Sequence, residues 1–389
     1  MLSDMHPLFD DRIYWKEALS LKKFGYNVIH IGFDKENKDF ISAEGIRIIA
    51  IKKRVFNNNI LLHKLIKTML FDDPHREMMN KIVEVKADAY HIHDLKVNKL
   101  GRKIRKLPWK PKIIYDIHED YGEIMRYYYS KKQFMNFFLL FHAFIMEWKE
   151  KNRTKDYDYY IHVTEHIQDK FKRKNSLVKS ELIINYSNFE TDNPTSFREK
   201  KYDIIYSGLI SKNRGVLEII KSVEEVKKIV PSIKALFLGG FNSIVFENLF
   251  WSTIKQLKLQ NTIDYHSYIN HNEIVDLYRQ SKIGICTLHP AKHFIYSIPI
   301  KIFEYMTFGL PVISSNFGYI LKYIIESNSG IPVDPLNPKE ISRAIEKLLT
   351  DKKLYNKFSE NGIIAIKTKY NWKTEETKLL NIYNNLLKD

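Results

Sequence analysis

Apolar positions along the chain follow two alternating rhythms. In RIYWKEALSLKK they recur three and four apart, which predicts an amphipathic helix from about Arg12 to Lys23. Gly25 then supplies a turn, and NVIHIGF (27–33) opens a series of short β-branched runs that read as strands. IRIIAI (46–51), DAYHIH (88–93), KIIYDIH (112–118), YYIHVTE (159–165) and LIINYS (182–187) continue the series, with helical patterns between most of them. Strands that alternate with helices predict a parallel sheet covered on both faces.

Asn, Thr, Pro and Ser gather in ETDNPTSFREKK (190–201), a predicted interdomain linker. The alternation then restarts. Strands are expected at DIIYSG, IKALFLG, TIDYHSY, KIGICTL, PVISS and GIPVD, and helices at about 214–230, 247–258, 271–280, 299–308, 319–327 and 337–350. Two more helices, 352–369 and 372–387, close the chain. The fold class is therefore α/β, with two doubly wound, Rossmann-like domains at 1–190 and 203–370 and a closing segment, 371–389, expected to pack back on the first. Ligands of such sheets sit at the carboxyl ends of strands, which points to a cleft between the domains. The beginning departs from the pattern: only MLSD precedes the turn-like HPLFDD where a central strand belongs. Either the chain starts further upstream or that strand is very short.

Composition narrows the classes. With 389 residues, 44% hydrophobic and 28% charged, the profile is globular and large enough for two cores. One cysteine, Cys286, excludes disulfides and cysteine-based zinc sites and fits a reducing compartment. No signal peptide is visible, and no apolar run reaches the length of roughly 18–20 residues needed to span a bilayer. The net charge is +16, and the stretch from Lys52 to Lys112 alone holds sixteen Lys/Arg against six Asp/Glu. A solvated basic face is the default reading. Attraction to anionic membrane lipid is preferred over nucleic acid, since no nucleic-acid motif accompanies the charge. The helix around 133–148 is aromatic nearly all round; core packing is favoured for it, with docking at a lipid interface as the alternative.

Two segments carry candidate chemistry. In SIPIKIFEYMTFGLPVISS (297–315), Pro299 suits a helix start and Gly309 its end, and Lys301 and Glu304 lie three apart on one face. Spacing alone favours a solvated ion pair. The functional reading has the helix N-terminus and Lys301 meet an anion while Glu304 accepts from vicinal hydroxyls. In IIYSGLISKNRGVLEII (204–220), a strand leads through Gly208 and a loop with Lys212 and Arg214 to Gly215 and a helix, an arrangement suited to phosphate. His91 and His93 share one strand face, and packing is favoured over metal binding for them. Asp156-Tyr157-Asp158 reads as a chance D-x-D string. No P-loop and no G-x-G-x-x-G fingerprint occurs.

The order YSGLIS-K-N-RG, FLGG, YHSYINHNEIVDLY, PIKIFEYMTFGLPVISS, GIPVDPLNPKEISRAIEKLL resembles the C-terminal half of retaining glycosyltransferases of GT-B architecture, glycosyltransferase family 4. FGYNV (24–28), ADAYHIHD (87–94) and IIYDIHED (113–120) extend the resemblance over essentially the whole chain. It implies a nucleotide-sugar donor, UDP- or GDP-linked, with no essential metal. Arg214 would clamp the donor diphosphate above Gly208, Glu304 would hold the ribose hydroxyls, Tyr268 would lie by the nucleobase, and His118 near the reacting centre. Asn185 would end a strand near the domain junction. Two positions depart from the family pattern. Tyr296 stands where the first glutamate of E-x7-E belongs, so sugar identity does not carry over. Leu209 replaces a second basic residue, a charge that Lys301 or Lys212 would supply. The implied protein is cytoplasmic, peripheral at the inner face of the plasma membrane, and passes sugar to a glycan or lipid-linked acceptor in bacterial surface-polysaccharide assembly. A GT-B epimerase or hydrolase, and a noncatalytic basic binder of nucleic acid or lipid, are the competing expectations.

Overall fold

The computed structural model describes residues 1–53, 75–130, 136–152, 154–173, 176–190, 200–267 and 271–388. They form two compact units: Met1–Asn185 with Lys373–Asp389, and Tyr186–Trp372. In the first, β1 (Ile29–Asp34), β2 (Lys38–Ile41) and β3 (Arg47–Lys52) form one ladder in the order β1-β3-β2, with β2 antiparallel. A parallel ladder follows the order β4 (Ala89–His93), β5 (Lys112–Ile117), β6 (Tyr159–His162), β7 (Ser180–Leu182). The hairpin strand β2 was not anticipated from the sequence, because KDFI is too polar to signal burial. β7 lies ahead of the expected 182–187.

Residues 1–3 take the central strand's place. Leu2 pairs in parallel with both Ile31 and Ile92 and so joins the two ladders. Its N–H donates to the His91 carbonyl at 2.8 Å, and its own carbonyl accepts from His93 N at 2.9 Å. Fully buried, Leu2 packs with Ile31, Ile49, Ile92 and Ile113 in one core.

The helix expected from Arg12 differs in kind. Ile13–Ala18 is a π-helical turn, and only Leu19–Lys23 is α-helical. The wider turn carries bonds such as Glu17 N to the Arg12 carbonyl, five residues back, at 2.9 Å. Arg12, Lys16 and Glu17 are thereby all buried, where an amphipathic α-helix would have left some of them in water. Residues after Trp372 return to the first unit: Glu375 accepts from Ile184 N at 2.9 Å, and the Tyr383 hydroxyl meets His91 Nδ1 at 3.1 Å.

Core packing fails for part of the aromatic helix Asn136–Asn152. Phe141, Phe144 and Trp148 are each more than half exposed and lie three and four apart, so they form one outward stripe. The linker 190–201 falls mostly outside the described residues.

The second unit is a six-stranded, fully parallel sheet in the order β10-β9-β8-β11-β12-β13. These strands are β8 (Tyr202–Ser207), β9 (Ala235–Leu238), β10 (Ile263–His266), β11 (Ser281–Cys286), β12 (Val312–Ser315) and β13 (Gly330–Val333). β8, β9, β11 and β12 are nearly or wholly buried along their length, as helices on both faces require. Ile204, Tyr206, Phe237, Phe250 and Ile283 anchor the core. Each such aliphatic or aromatic side chain stabilises it by about 1.5–3 kcal/mol. Strand order reverses between β8 and β11, so the loops leaving these neighbours part to opposite sides and open a crevice.

Candidate functional site

Around that crevice lie Gly208, Arg214, Lys301 and Glu304, four of the residues singled out in the second half of the chain. β8 ends at Ser207, and Gly208 follows with φ +118°. A Cβ there would lie 3.1 Å from Lys301 Nζ, so the glycine leaves room for the ammonium to reach the loop backbone. Lys212–Arg214 forms one 3-10 turn, closed by Gly215 at φ +71°, and helix Val216–Lys227 begins there. Any Cβ on Gly215 would overlap the Thr287 carbonyl at 2.1 Å. The loops after β8 and β11 are thus pressed together, and His289 N closes them with a 2.9 Å bond to the Asn213 carbonyl.

Lys301 opens the short helix Lys301–Thr307 and is buried, with 6% exposure. Among the described residues its Nζ has no hydrogen-bond partner, and it rests 4.2 Å from the centre of the Tyr206 ring. Burial pushes its pKa down to about 8, and the Arg214 guanidinium adds to the effect against Cys286 and Glu304. Arg214 is half-buried and stacks near the Phe294 ring at 5.9 Å. Two cations therefore converge at the end of β8, and Thr287 Oγ1 is a second buried polar atom there without a partner among the described residues. Unpaired buried charge is costly, and an anion is what would remove the cost. Of the two lysines weighed from sequence, Lys301 faces Gly208 while Lys212 is exposed. Leu209 is exposed as well.

Glu304 lies one turn further along the same helix. Its Oε2 accepts from the Tyr278 hydroxyl at 2.7 Å, and Tyr278 also meets Ser207 Oγ at 2.9 Å. The expected i,i+3 ion pair with Lys301 is replaced by this phenol contact, while the lysine turns toward Gly208. Tyr296 stands half-buried before the helix, its ring 6.4 Å from that of Tyr319. Tyr268 lies outside the described residues.

In the first unit the ends of β4 and β5 gather a buried ionic network. Arg12 donates to both Asp116 oxygens at 3.1–3.3 Å and to the Ile183 carbonyl at 3.0 Å, and its Nε is 2.9 Å from Glu17 Oε1. The arginine and His118 hold the Asp116 carboxyl well below the usual range despite burial; burial and the charge on Asp116 push Glu17 well above it. Glu17, His91, His93 and Asp116 bring four ligand-type atoms within 4.8 Å of one another. Arg12 holds both Asp116 oxygens and Glu17 Oε1, while Glu17 Oε2 faces His91 and His93 at 3.8–3.9 Å. The His91 and His93 rings stack, with centroids 4.3 Å apart.

His118 follows β5 with both ring nitrogens turned inward, Nε2 to Asp116 at 3.0 Å and Nδ1 to Asp94 at 3.5 Å. Asp94 adopts φ +69°, rare for a non-glycine residue, and its Oδ1 accepts from His118 N at 3.2 Å. His6 bridges Asp94 and Asp10. Burial alone would lower its pKa, but the two carboxylates raise it to about 10. Asn185 accepts from buried Lys16 at 2.8 Å. Asp158 of the D-x-D string pairs with Arg105 at 2.9 Å and accepts from Ile113 N at 2.7 Å, a structural use. Sequence reading missed Arg12, Glu17, Asp94 and Tyr278; buried charge in a helix pattern was the one signal available for the first two.

Residues 187–364 match the family described as Glycosyl transferases group 1. This segment is a glycosyl transferases group 1 domain. The chain is 23% identical over 225 residues to the capsular polysaccharide biosynthesis glycosyltransferase CapM of Staphylococcus aureus, covering 53% of each. It is 23% identical over 193 residues to the putative glycosyltransferase YtcC of Bacillus subtilis, covering 49% of this chain and 46% of that one. The chain thus spans about half the length of these curated relatives. Among solved structures, sucrose-phosphate synthase from Thermosynechococcus elongatus superposes with a TM-score of 0.73 at 16% identity, over 95% of this chain and 92% of that one. Anabaena Alr3699/HepE in complex with UDP-glucose gives 0.69 at 12% identity, over 99% of both. The fold is that of the GT-B glycosyltransferases. Among the described residues no helix is long and apolar enough to cross a membrane.

Proposed function

We propose that this protein transfers a glycosyl group, with retention, from a UDP- or GDP-sugar to a glycan or lipid-linked acceptor in surface-polysaccharide assembly. The observation that carries the reading is the unpaired, buried ammonium of Lys301 against Gly208, with Arg214 as second cation. Departure of a nucleoside diphosphate builds negative charge on the leaving phosphate, and preorganised cations lower such barriers by several kcal/mol. The acceptor hydroxyl would attack from the leaving-group face and pass its proton to a β-phosphate oxygen, so no carboxylate nucleophile is required. Glu304 would hold the ribose. His118, whose Nε2 meets Asp116 at 3.0 Å, would line the acceptor side near the reacting centre. Arg214 and Lys301 would carry the charge a metal ion neutralises elsewhere, and turnover should persist in EDTA.

A place at the inner face of the plasma membrane belongs to the same reading. It is supported by the net charge of +16 and the outward stripe Phe141, Phe144 and Trp148. The deciding experiment is calorimetric binding of UDP, GDP and their sugars, followed by product analysis with and without a glycan acceptor. Nucleotide-sugar binding that Glu304→Gln leaves untouched sinks the site. Sugar release or isomerisation that no acceptor redirects sinks transfer and favours the hydrolase or epimerase.

A further inference from the structure

Glu304 is held by a chain of hydroxyls that starts at the phosphate loop. Tyr278 comes from helix His271–Arg279, a different element, and is fully buried. Its hydroxyl stands 2.7 Å from Glu304 Oε2 and 2.9 Å from Ser207 Oγ, the residue just before Gly208. Ser207 Oγ in turn meets the Tyr305 hydroxyl at 3.1 Å, and Ser207 N donates to that hydroxyl at 3.0 Å.

The direction of the chain follows from counting protons. An ionised carboxylate only accepts, so the single Tyr278 proton goes to Glu304. Tyr278 is left to accept from Ser207. Tyr305 accepts from Ser207 N and has the Ile285 carbonyl within 3.4 Å for its own proton. Burial and the neighbouring carboxylate push the Tyr278 phenol well above its ordinary value, so it remains a donor at every working pH. The phenol ring is also fixed by packing edge-on to Tyr305 at 5.6 Å and against Phe308 at 5.4 Å. Its hydroxyl is therefore a rigid point to which one carboxylate oxygen is tied.

We propose that Tyr278 is the positioning residue that makes this site select a ribose, by locking the Glu304 carboxylate in the rotamer that receives the two vicinal hydroxyls. The proposal rests on the reading of Glu304 as the ribose-binding residue. Through Ser207 the same lock ties the ribose carboxylate to the backbone of the phosphate loop, so both halves of a nucleoside diphosphate are met in a single register. A freely rotating glutamate at this position would still attract hydroxyls. It would also spend binding energy on being ordered, and it would discriminate less.

The test compares two ligands on one protein. UDP or GDP, whichever the wild type binds more tightly, is titrated beside its 2′,3′-dideoxy analogue. Wild type is expected to prefer the ribose form at least tenfold. Tyr278→Phe should weaken the ribose form about tenfold, leave the dideoxy form within twofold, and so shrink the preference toward one. A merely structural role would weaken both ligands together, and that result, or an unchanged preference, overturns the proposal. A wild-type preference near one would instead show that the ribose reading of Glu304 is wrong, which Glu304→Gln checks independently. Should Tyr278→Phe not fold, Ser207→Ala decides. It leaves the phenol in place but removes its donor, and it must reduce the preference about threefold.

Discussion

Lys301→Met separates function from stability most sharply. In the free protein the ammonium is buried, lacks a hydrogen bond and is opposed by Arg214. A fall from 10.5 to about 8 weighs against the charged form by roughly 3 kcal/mol at neutral pH. The sign follows from the lysine having a lower pKa folded than unfolded. The penalty is fully present below pH 8 and fades as pH rises toward 10.5, where the folded lysine loses its proton first. Methionine keeps the stem volume and removes the charge, at the loss of the contact with Tyr206, itself about 0.5–2 kcal/mol. The net expectation is a gain of about 1–3 kcal/mol, or roughly 2–12 °C in Tm for a unit of this size. Affinity for the nucleoside diphosphate should move the other way by about 10–100-fold, the size of one or two charge-assisted bonds. Differential scanning fluorimetry without ligand and calorimetry with UDP or GDP read the two effects on the same samples. Near pH 8.5 the wild type should also take up protons on binding, visible as heat that depends on the buffer. A variant that melts lower and binds as before would refute the reasoning, because Lys301 would then be a packing residue.

Acid should loosen the first unit before the second. Burial lowers His30, His93 and His162 to about 3, so each stays neutral while its unfolded counterpart protonates below 6.5. Each withdraws about 1.4 kcal/mol per pH unit below that point. Hydrogen exchange of 29–34, 89–93 and 159–162 should lose protection between pH 7 and 5.5 while 202–207 and 281–286 hold; equal losses would contradict this. Gly215→Ala must overlap the Thr287 carbonyl and hold φ at +71°. It should abolish nucleotide binding and lower Tm by several degrees; an alanine variant that binds normally would show that the two loops need not touch. Arg12→Met takes the guanidinium off buried Asp116 and leaves it only the histidines beside it; breaking a buried pair in this way typically costs about 3–5 kcal/mol. Urea unfolding should show a loss of that order, and a neutral result would mean that Asp116 gives up its charge at little cost.

The second unit was legible nearly element by element, and the reason is its burial. Strands covered on both faces must be continuous apolar runs, so IIYSG, FLGG, KIGIC and PVISS announce themselves. Gly208, Arg214, Gly215 and Glu304 were legible as candidates because a strand–glycine–basic loop–helix sequence and the FEYM-x-x-G-x-PVI stretch are recognisable patterns. In the first unit the same logic found β1, β3, β4, β5 and β6 and failed at the sheet's edges, β2 and β7, and at its centre. Leu2 occupies a strand position through its neighbours alone, and three residues carry no period to detect. The π-turn at Ile13–Ala18 likewise buries Arg12, Lys16 and Glu17 against partners contributed by Asp116 and Asn185, more than a hundred residues away.

Composition and periodicity therefore determined the parallel α/β layering, because that depends on which residues leave water. Tertiary structure alone decided how the charges in SIPIKIFEYMTFGLPVISS are used. Lys301 and Glu304 are spaced to pair with each other. The phenol of Tyr278, from another helix, takes the glutamate, and Gly208, on another strand's loop, leaves the lysine unpaired at the site. Which partner a charge finds depends on distances across the fold, and local sequence carries no record of them.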